Sequence, residues 1–444
     1  MFRAPDLHDL RYEGKCRQRG SQITEQFRCI YAAPVESLSR LYPYACGTIG
    51  RLGHFGFSMH PLLFLTLLAG LCATAQATEK LRVATFNSSL NDDHAGGLIE
   101  RLRNGDEAAR NIAAVIQRQR PDILLINEFD YDANGLAAEL FQTDYLSKPQ
   151  HGQPTIHYAY RYLAPVNTGV PSGLDLNNDG KTGGGNDAFG FGNHPGQYGM
   201  LVLSKHPIVA DEMRTFQNFL WKDMPNALAP LNADGSPWYS AEAWKAFRLS
   251  SKSHWDVPVN TPLGTVHFLV SHPTPPAFDG QERRNVKRNH DEIRFWNDYI
   301  ADRDTPWIID DQGKRGGLRE NALFVIAGDL NADPTDGSGI RDGIVGLLEN
   351  PRVLRMATPR SEGAVEAAMQ TGGTNLAQRG AHHHDTSAFG AKTGNLRVDY
   401  VLPSIGLTAK DQGVFWPPNG QLGSDWITAS DHRMVWVDLL RTVP

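Results

Sequence analysis

Short apolar runs rich in β-favouring residues recur along this 444-residue chain, and several of them end on polar side chains. Runs of this kind, bounded by turn-forming residues, are typical of strands in a buried sheet. A side chain at the end of a buried strand is held by a rigid scaffold and still faces a cleft. The polar segments at these ends are Thr85-Phe86-Asn87, Asn127-Glu128, Ser271-His272, Gly328-Asp329-Leu330-Asn331, Arg397-Val398-Asp399-Tyr400 and Ser430-Asp431-His432. Together they supply carboxylate, amide and imidazole groups, which can bind a divalent cation and activate a water molecule.

The pattern of apolar residues predicts more strands than helices, with the helices placed between strands. Acidic residues open the segment 106–119, and its apolar residues recur at helical spacing. A second helix is predicted over 282–300. Strands are predicted over 81–87, 123–126, 200–203, 249–259, 266–270, 322–327, 398–402 and 434–439. No linker is evident after residue 78, so we expect one α/β domain over 78–444, with insertions near 131–197 and 217–248.

The N-terminal region resembles an export signal. Residues 61–77 form an apolar stretch that ends in Ala75-Gln76-Ala77, a pattern typical of a cleavage site. We therefore expect residues 59–77 to be a signal peptide and 1–58 to be a misassigned or disposable leader. Against this expectation, a start at Met59 leaves no Lys or Arg ahead of the apolar stretch, and the alternative for the stretch itself is an uncleaved anchor. All four cysteines precede residue 73, and a cysteine-free body suits an exported monomer, periplasmic or secreted, with no anchor after cleavage.

The net charge of −6 argues against a broadly basic surface. The first 77 residues are net basic, so the remainder is more acidic than the whole chain. Tight binding of duplex nucleic acid usually needs an extended basic face. The charge therefore disfavours that substrate, although a bound metal and a local basic cleft can suffice for a nuclease.

The residue types in the polar segments predict a hard cation and a reacting water. Carboxylate and amide oxygens favour Mg²⁺ or Mn²⁺ over Zn²⁺, and Glu128 is the expected direct ligand. Asp329 can take a proton from water, and Asn331 can hold that water or a phosphate oxygen. Each segment alone is more often structural than catalytic, but their order and placement favour catalysis.

Imidazole groups complete the predicted chemistry. His272 and His432 can bind or protonate oxygens of a phosphoryl group, and Asp399 can orient His432 and raise its pKa. The combination predicts in-line displacement at phosphorus, in which a metal neutralises charge on the leaving oxygen.

These segments resemble the endonuclease/exonuclease/phosphatase superfamily, which has the deoxyribonuclease-I-like fold. The resemblance covers about 80–440 and is most specific at 328–331, 397–400 and 430–432. It implies an α/β (α+β) four-layer α/β/β/α sandwich, in which two mostly antiparallel β-sheets pack face to face with helices outside. It also implies a site at one rim of the two sheets.

The same resemblance implies particular roles for the site residues. Asn87 and Glu128 would lie at the metal, with Asp431 near it. Asp329 and Asn331 would handle the nucleophile. Asp399 would pair with His432, and His272 would bind the scissile phosphate. The chain departs from many repair nucleases of this family at Ser89, where they carry Asp, and the segment 129–198 has no recognisable counterpart.

Other segments are candidates for substrate or calcium binding. Lys252 and His254 would share one face of the strand over 249–259 and would contact phosphate if that face lines the cleft. Arg288 lies in a basic run at the start of a helix that could also meet phosphate, and a solvated helix face is the alternative for that run. Asp175, Asn177 and Asp179 alternate as in the first half of a calcium loop, but the twelfth position is Asn186 instead of Glu. A Gly-rich polar loop without calcium is the alternative.

The sequence thus predicts an exported phosphoester hydrolase that depends on Mg²⁺ or Mn²⁺. The substrate is a small phosphoester, a nucleic acid or a phospholipid headgroup. The alternative is an inactive binding module on the same fold, stabilised by calcium.

Overall fold

The structure is a computed structural model that describes residues 79–301 and 304–442. The predicted leader at 1–58 and signal peptide at 59–77 therefore lie outside the described residues. In the described ranges the strands are β1 Leu81–Leu90, β2 Ile123–Phe129, β3 Tyr160–Tyr162, β4 Met200–Ser204, β5 Arg214–Thr215, β6 His254–Thr261, β7 Gly264–Ser271, β8 Leu323–Asp329, β9 Ser387–Ala388, β10 Asn395–Leu396, β11 Asp399–Pro403, β12 Leu407–Val414 and β13 Val435–Arg441.

The α-helices in the same part of the chain are α1 Gly97–Arg103, α2 Glu107–Gln119, α3 Leu136–Leu140, α4 Ala241–Ala246, α5 Arg284–Tyr299, α6 Arg341–Glu349, α7 Glu362–Thr371 and α8 Gly390–Thr393. A π-helical turn, Phe141–Leu146, continues α3. None of the helices in these ranges has the length and apolar character needed to cross a bilayer.

Two sheets carry the fold. The first has six strands in the order β12-β13-β1-β2-β4-β3, and the second has five in the order β11-β8-β7-β6-β5. One neighbouring pair in each sheet is parallel, β1 with β2 and β7 with β8, and the other neighbours are antiparallel. The mostly antiparallel character predicted for the sheets is confirmed.

Alternation of side chains along the strands produces four layers. Val83 of β1 and Phe268 of β7 belong to one apolar cluster that fills the space between the sheets. Phe86, on the opposite face of β1, packs with Ile112 of α2. On the far side, Phe324 of β8 packs with the helix α5. Helices therefore cover both outer faces, and the predicted α/β/β/α sandwich is confirmed.

Local signals explain the helix α2. Asp106 is its N-cap and its carboxylate accepts a hydrogen bond from Ala109 N, while Glu107 places a second negative charge in the first turn. The helix ends before Arg120, which has a left-handed conformation, and Pro121 follows. Its predicted start and end are both correct to within one residue.

One predicted strand is wrong at its start. We expected a strand over 249–259, but β6 begins at His254. The ladder between β6 and β7 stops at the pair His254 and Ser271. The preceding main chain bonds to other loops instead, since Leu249 N donates to Phe219 O and Lys252 O accepts from Asn167 N. Lys252 therefore lies in a connecting segment and not on a strand face.

Candidate active site

The two sheets meet at one rim, where β1, β2, β7 and β8 end. The side chain of Asn127, at the end of β2, reaches across to the second sheet. Its Oδ1 accepts from Asp329 N at 3.2 Å, and its Nδ2 lies 3.5 Å from Ser271 O. Gly328 permits this close approach of strands, because a Cβ there would lie 2.1 Å from Ser271 O. The polar segments predicted from the sequence are thereby brought to a common edge.

A bulge directs Glu128 into the rim. In the pairing of β1 with β2, two residues, Ser88 and Ser89, stand opposite Glu128. Glu128 itself has a φ of 55°, a left-handed conformation that costs on the order of 1–3 kcal/mol outside glycine. Simple alternation would send its side chain under the helices with Ile126. Instead, Glu128 Oε1 accepts a hydrogen bond from Asn87 Nδ2 at 3.0 Å.

Asp329 lies at the centre of the site. Its Oδ2 accepts from Asn87 Nδ2 at 3.1 Å and lies 3.3 Å from His272 Nε2 and 3.5 Å from His432 Nε2. Its other oxygen accepts from Asn331 N at 2.9 Å. The Asp329 side chain is 1% exposed, so these contacts replace solvent. One carboxylate oxygen is thus shared by an amide and two imidazoles.

Asp399 and His432 form a buried pair. His432 Nδ1 donates to Asp399 Oδ2 at 2.9 Å, which leaves Nε2 facing Asp329. Thr386 Oγ1 also donates to Asp399 Oδ2, at 2.7 Å, and Phe389 packs edge-on against the His432 ring. These contacts fix the orientation of the imidazole, as a carboxylate partner does for a catalytic histidine.

The two imidazoles beside Asp329 have opposite pKa shifts. Burial opposes protonation of His432, but the Asp399 and Asp329 carboxylates outweigh it and raise the pKa of His432 to about 10. Burial, assisted by the ammonium of Lys252, lowers the pKa of His272. Burial would raise the pKa of Asp329, yet the charge of His432 and the hydrogen bond from His272 hold that pKa well below its usual value. At neutral pH the site therefore combines a carboxylate, an imidazolium and a neutral imidazole.

Glu128 and Asn87 form an oxygen-rich corner suited to a hard cation. Glu128 Oε2 accepts from Asn91 Nδ2 at 3.0 Å, so two amides converge on one carboxylate, and Asp329 brings a second carboxylate to Asn87. Carboxylate and amide oxygens are the ligands that Mg²⁺ and Mn²⁺ prefer. Reorienting the Asn87 amide would present its oxygen to an ion held by Glu128. The residues present therefore fit such an ion.

A second group of potential ligand atoms has another explanation. Asp329, Asp399 and His432 place one ligand atom each within 4.8 Å of the others. However, Nδ1 of His432 faces Asp399 in a hydrogen bond, and a cation between them would have to displace that proton. We therefore interpret Asp399 and His432 as an orienting pair, and the expectation that Glu128 is the direct ligand of the cation stays a prediction.

Two further predicted residues lie at the margin. Asn331 has a φ of 51°, and its Nδ2 donates to Pro273 O, so its amide ties the segment after β8 to the segment after β7. Asp431 is half-exposed, and its Oδ1 lies 3.9 Å from His432 Nε2. The roles expected for both residues stay predictions.

The three predicted substrate-binding residues have different environments. Lys252 lines the same cavity as Glu128 and His272. Arg288 also lines it, but its guanidinium donates to Leu249 O, Phe189 O and Arg248 O. His254 lies beneath α5, where Nε2 contacts Glu292 O and Nδ1 contacts Ser250 Oγ. The expectation that His254 faces the cleft is wrong, because α5 covers that face of the sheet.

The predicted calcium loop has its own internal hydrogen bonds. Asp175 accepts from the main-chain nitrogens of Asp179 and Gly180, and Asn177 Nδ2 donates to Asp179 Oδ2. Asp187 is buried and accepts from Leu176 N. The loop is ordered by these contacts, and calcium binding there stays a prediction.

Several positioning residues could not be predicted from the sequence. Asn289 of α5 donates from Nδ2 to both Thr274 O and Leu330 O, and so joins the loops that carry His272 and Asp329. Glu292, one turn further along, accepts from Ser251 N and Thr274 N. Both residues occupy a helix that is remote in sequence from these loops, so no local pattern indicates them.

Comparison with known proteins identifies the family of this chain. The sequence model of the endonuclease/exonuclease/phosphatase family matches residues 84–432. The chain therefore belongs to that family, whose members are generally hydrolases that act on phosphoesters. No curated protein matches the sequence.

Solved structures with a similar fold have low sequence identity to this chain. An endonuclease/exonuclease/phosphatase from Beutenbergia cavernae is 19% identical, with a TM-score of 0.45, and the match covers 82% of this chain and 72% of that one. A sphingomyelinase C from Streptomyces griseocarneus is 16% identical (TM-score 0.40; 81% and 99% covered). A magnesium-bound beta toxin from Staphylococcus aureus is 12% identical (TM-score 0.39; 82% and 100% covered).

Proposed function

We propose that this protein is a divalent-metal-dependent phosphoester hydrolase with Asp329 at its catalytic centre. The observation that carries the proposal is the position of Asp329 Oδ2, which is shared by Asn87, His272 and His432 beside the carboxylate of Glu128. A buried carboxylate flanked by two imidazoles suits the attack of water on phosphorus. A simple structural ion pair would not need the second imidazole.

The residues have distinct roles in this proposal. Asp329 orients the attacking water and accepts its proton as the bond to phosphorus forms. His432, protonated and held by Asp399, donates a hydrogen bond to a phosphoryl oxygen, and neutral His272 binds another. Glu128 and Asn87 would hold Mg²⁺ or Mn²⁺, and the ion would supply positive charge that offsets the negative charge of the leaving group.

Hydrolysis of bis-p-nitrophenyl phosphate by the purified protein tests the proposal. We expect turnover with Mg²⁺ or Mn²⁺, none with EDTA, and a loss of about a thousandfold in Asp329→Asn. His267→Gln is the matched control, because His267 also contacts a buried carboxylate but lies on the outer face of the second sheet under α5. Activity that persists in EDTA and in Asp329→Asn would refute the mechanism.

The same preparation tests the alternative of an inactive, calcium-stabilised module. That alternative predicts no turnover of any phosphoester, together with a melting temperature that rises in Ca²⁺ and stops rising in Asp175→Ala. The retained Glu128, Asp329 and His432 favour the enzyme.

We also propose that the protein is exported, with cleavage after Ala77. The basis is the apolar run over 61–77 and its Ala-x-Ala ending. Mass spectrometry of the protein recovered from a periplasmic or culture fraction should find an N-terminus at Thr78. Recovery from the membrane fraction with residues 59–77 intact would contradict cleavage and favour an anchor.

A further inference from the structure

A cavity of about 490 Å³ opens beside the candidate active site. Glu128, His272 and Lys252 lie along it, so the reacting groups and the cavity form one continuous space. Its volume falls within the usual range for small-molecule pockets. The insertions near 131–197 and 217–248 contribute Leu176, Phe191, Tyr239 and Phe247 to the lining, and the segment after β7 contributes Phe278.

Five aromatic side chains contribute to that lining. Phe247 and Tyr239 are 4% and 6% exposed and form the inner wall, while Phe191 and Phe278 are 57% and 89% exposed. Tyr198 lies on the same wall. Large apolar side chains that stay exposed next to a cleft are candidates for contact with a ligand. Aromatic side chains of this kind can pack against the flat ring of a ligand.

The wall is held in place before any ligand binds. Arg288 ties Phe189 O to Leu249 O and Arg248 O, and its guanidinium lies 4.6 Å from the centre of the Phe247 ring. Gly190 lets the insertion approach Ser251 closely, because a Cβ there would lie 1.9 Å from Ser251 O. A preformed wall lowers the entropic cost of binding a rigid ligand.

The cationic side chains of the cavity differ in their availability. Arg288 is engaged as above, and Arg284 donates to Leu176 O. Lys252 is 6% exposed, yet its ammonium makes no hydrogen bond or ion pair with any of the residues that the structure describes. The carboxylates of Glu128, Glu292 and Asp329 act on this ammonium electrostatically without contacting it, so it can still donate a hydrogen bond to a bound anion. One available ammonium matches one phosphoryl group and does not match a polyphosphorylated ligand.

Building on the proposed function, we propose that the substrates are small phosphoesters that carry an aromatic group, which the cavity binds while Lys252 binds the phosphoryl group. The aromatic wall favours substrates with an aromatic group, and the single ammonium favours substrates with one phosphoryl group. Duplex nucleic acid and inositol polyphosphates fit neither feature.

Binding of non-hydrolysable phosphonates tests this inference independently of turnover. By calorimetry, we expect phenylphosphonate to bind the wild-type protein about tenfold more tightly than methylphosphonate, with and without Mg²⁺. In Phe278→Ala and Phe191→Ala, which change exposed side chains, that preference should shrink while methylphosphonate binding stays the same. Lys252→Met should weaken both ligands by a similar factor.

Equal affinity for the two phosphonates, or a preference unaffected by both Phe variants, would overturn the inference. Faster cleavage of sphingomyelin vesicles or plasmid DNA than of phenyl p-nitrophenyl phosphate would also overturn it. Metal-dependent hydrolysis of methyl phosphate and phenyl phosphate at equal rates, measured as released phosphate, would leave the proposed hydrolase intact and remove only the aromatic subsite. Tighter binding of phenylphosphonate without any turnover would support the aromatic subsite and refute the proposed hydrolase.

Discussion

Two buried aspartate–histidine pairs in this molecule have nearly the same geometry. His432 Nδ1 lies 2.9 Å from Asp399 Oδ2 at the rim, and His267 Nδ1 lies 2.8 Å from Asp256 Oδ1 on the outer face of the second sheet. All four side chains are largely withdrawn from solvent. Distance and burial therefore do not distinguish a catalytic pair from a structural one.

The neighbours of the two pairs make the difference. The second oxygen of Asp256 accepts a hydrogen bond from the hydroxyl of Tyr299 on α5, at 2.6 Å, so that carboxylate joins the sheet to the helix. At the rim, by contrast, the other nitrogen of His432 faces the carboxylate of Asp329. Among the described residues, a second carboxylate therefore lies within ion-pair distance of the imidazole at the rim pair and not at the other pair. The two pairs therefore differ in the group that the second imidazole nitrogen faces, and we expect that group to decide whether the pair takes part in catalysis.

Replacing the two histidines should give the largest contrast. We expect His432→Gln to lower kcat/KM for bis-p-nitrophenyl phosphate by about a thousandfold, because it removes the positive charge beside Asp329. His267→Gln should leave kcat/KM within about twofold and lower the melting temperature, because it breaks a buried pair. Steady-state kinetics and thermal unfolding of both variants measure this. Similar activity losses in both would break the comparison.

Glu128→Gln should change the dependence of the activity on the Mg²⁺ concentration. Loss of one carboxylate charge should raise the Mg²⁺ concentration for half-maximal activity by about ten- to a hundredfold, with partial recovery at high Mg²⁺. Glu139→Gln is the control, since Glu139 pairs with Arg161 on the surface. An unchanged Mg²⁺ requirement in Glu128→Gln would show that the ion binds elsewhere, with Asp399 and His432 as the next candidates.

A third buried histidine, His254, should affect the pH dependence of the protein's stability. Burial without a carboxylate partner at hydrogen-bond distance lowers the pKa of His254 from 6.5 to about 4. Between pH 4 and pH 6.5 the unfolded state binds more protons at His254 than the folded state does. The free energy of unfolding therefore rises with pH over this range, and the stability decreases as pH falls from 6.5 towards 4. The shift corresponds to about 3 kcal/mol.

Urea unfolding at pH 5 and pH 7 measures this effect. His254→Gln should be less stable at pH 7, because the glutamine does not reproduce the ring contacts, but its loss of stability between pH 7 and pH 5 should be smaller than in the wild type. Equal losses in both proteins would contradict the assignment of this titration to His254.

The layers of the fold could be predicted because each strand and helix carries its own pattern of apolar residues. Leu81 and Val83 alternate with Ala84 and Phe86 in the order that two buried faces require. The position of the candidate site at the rim could also be predicted, since polar residues end these strands. The register that places Asp329 opposite Asp399, in the pairing of β8 with β11, could not be predicted, because neither segment alone determines which residues face each other.

The details of the site could not be predicted for physical reasons. The direction of the Glu128 side chain depends on a bulge and a left-handed φ, and neither follows from local propensity. His254 was expected at the cleft because alternation gives its face but not what covers that face. Thr386 and Asn289 act through contacts with loops distant in sequence.

The ionisation of His432 tests the account most directly. Nitrogen NMR of the metal-free protein, with ring resonances assigned through His432→Gln and His267→Gln, reports the protonation of each imidazole. We predict that His432 keeps both ring protons at pH 8, because its pKa is raised to about 10 by Asp399 and Asp329. A neutral His432 at pH 7 would contradict the claim that these two carboxylates make the rim pair the reactive one.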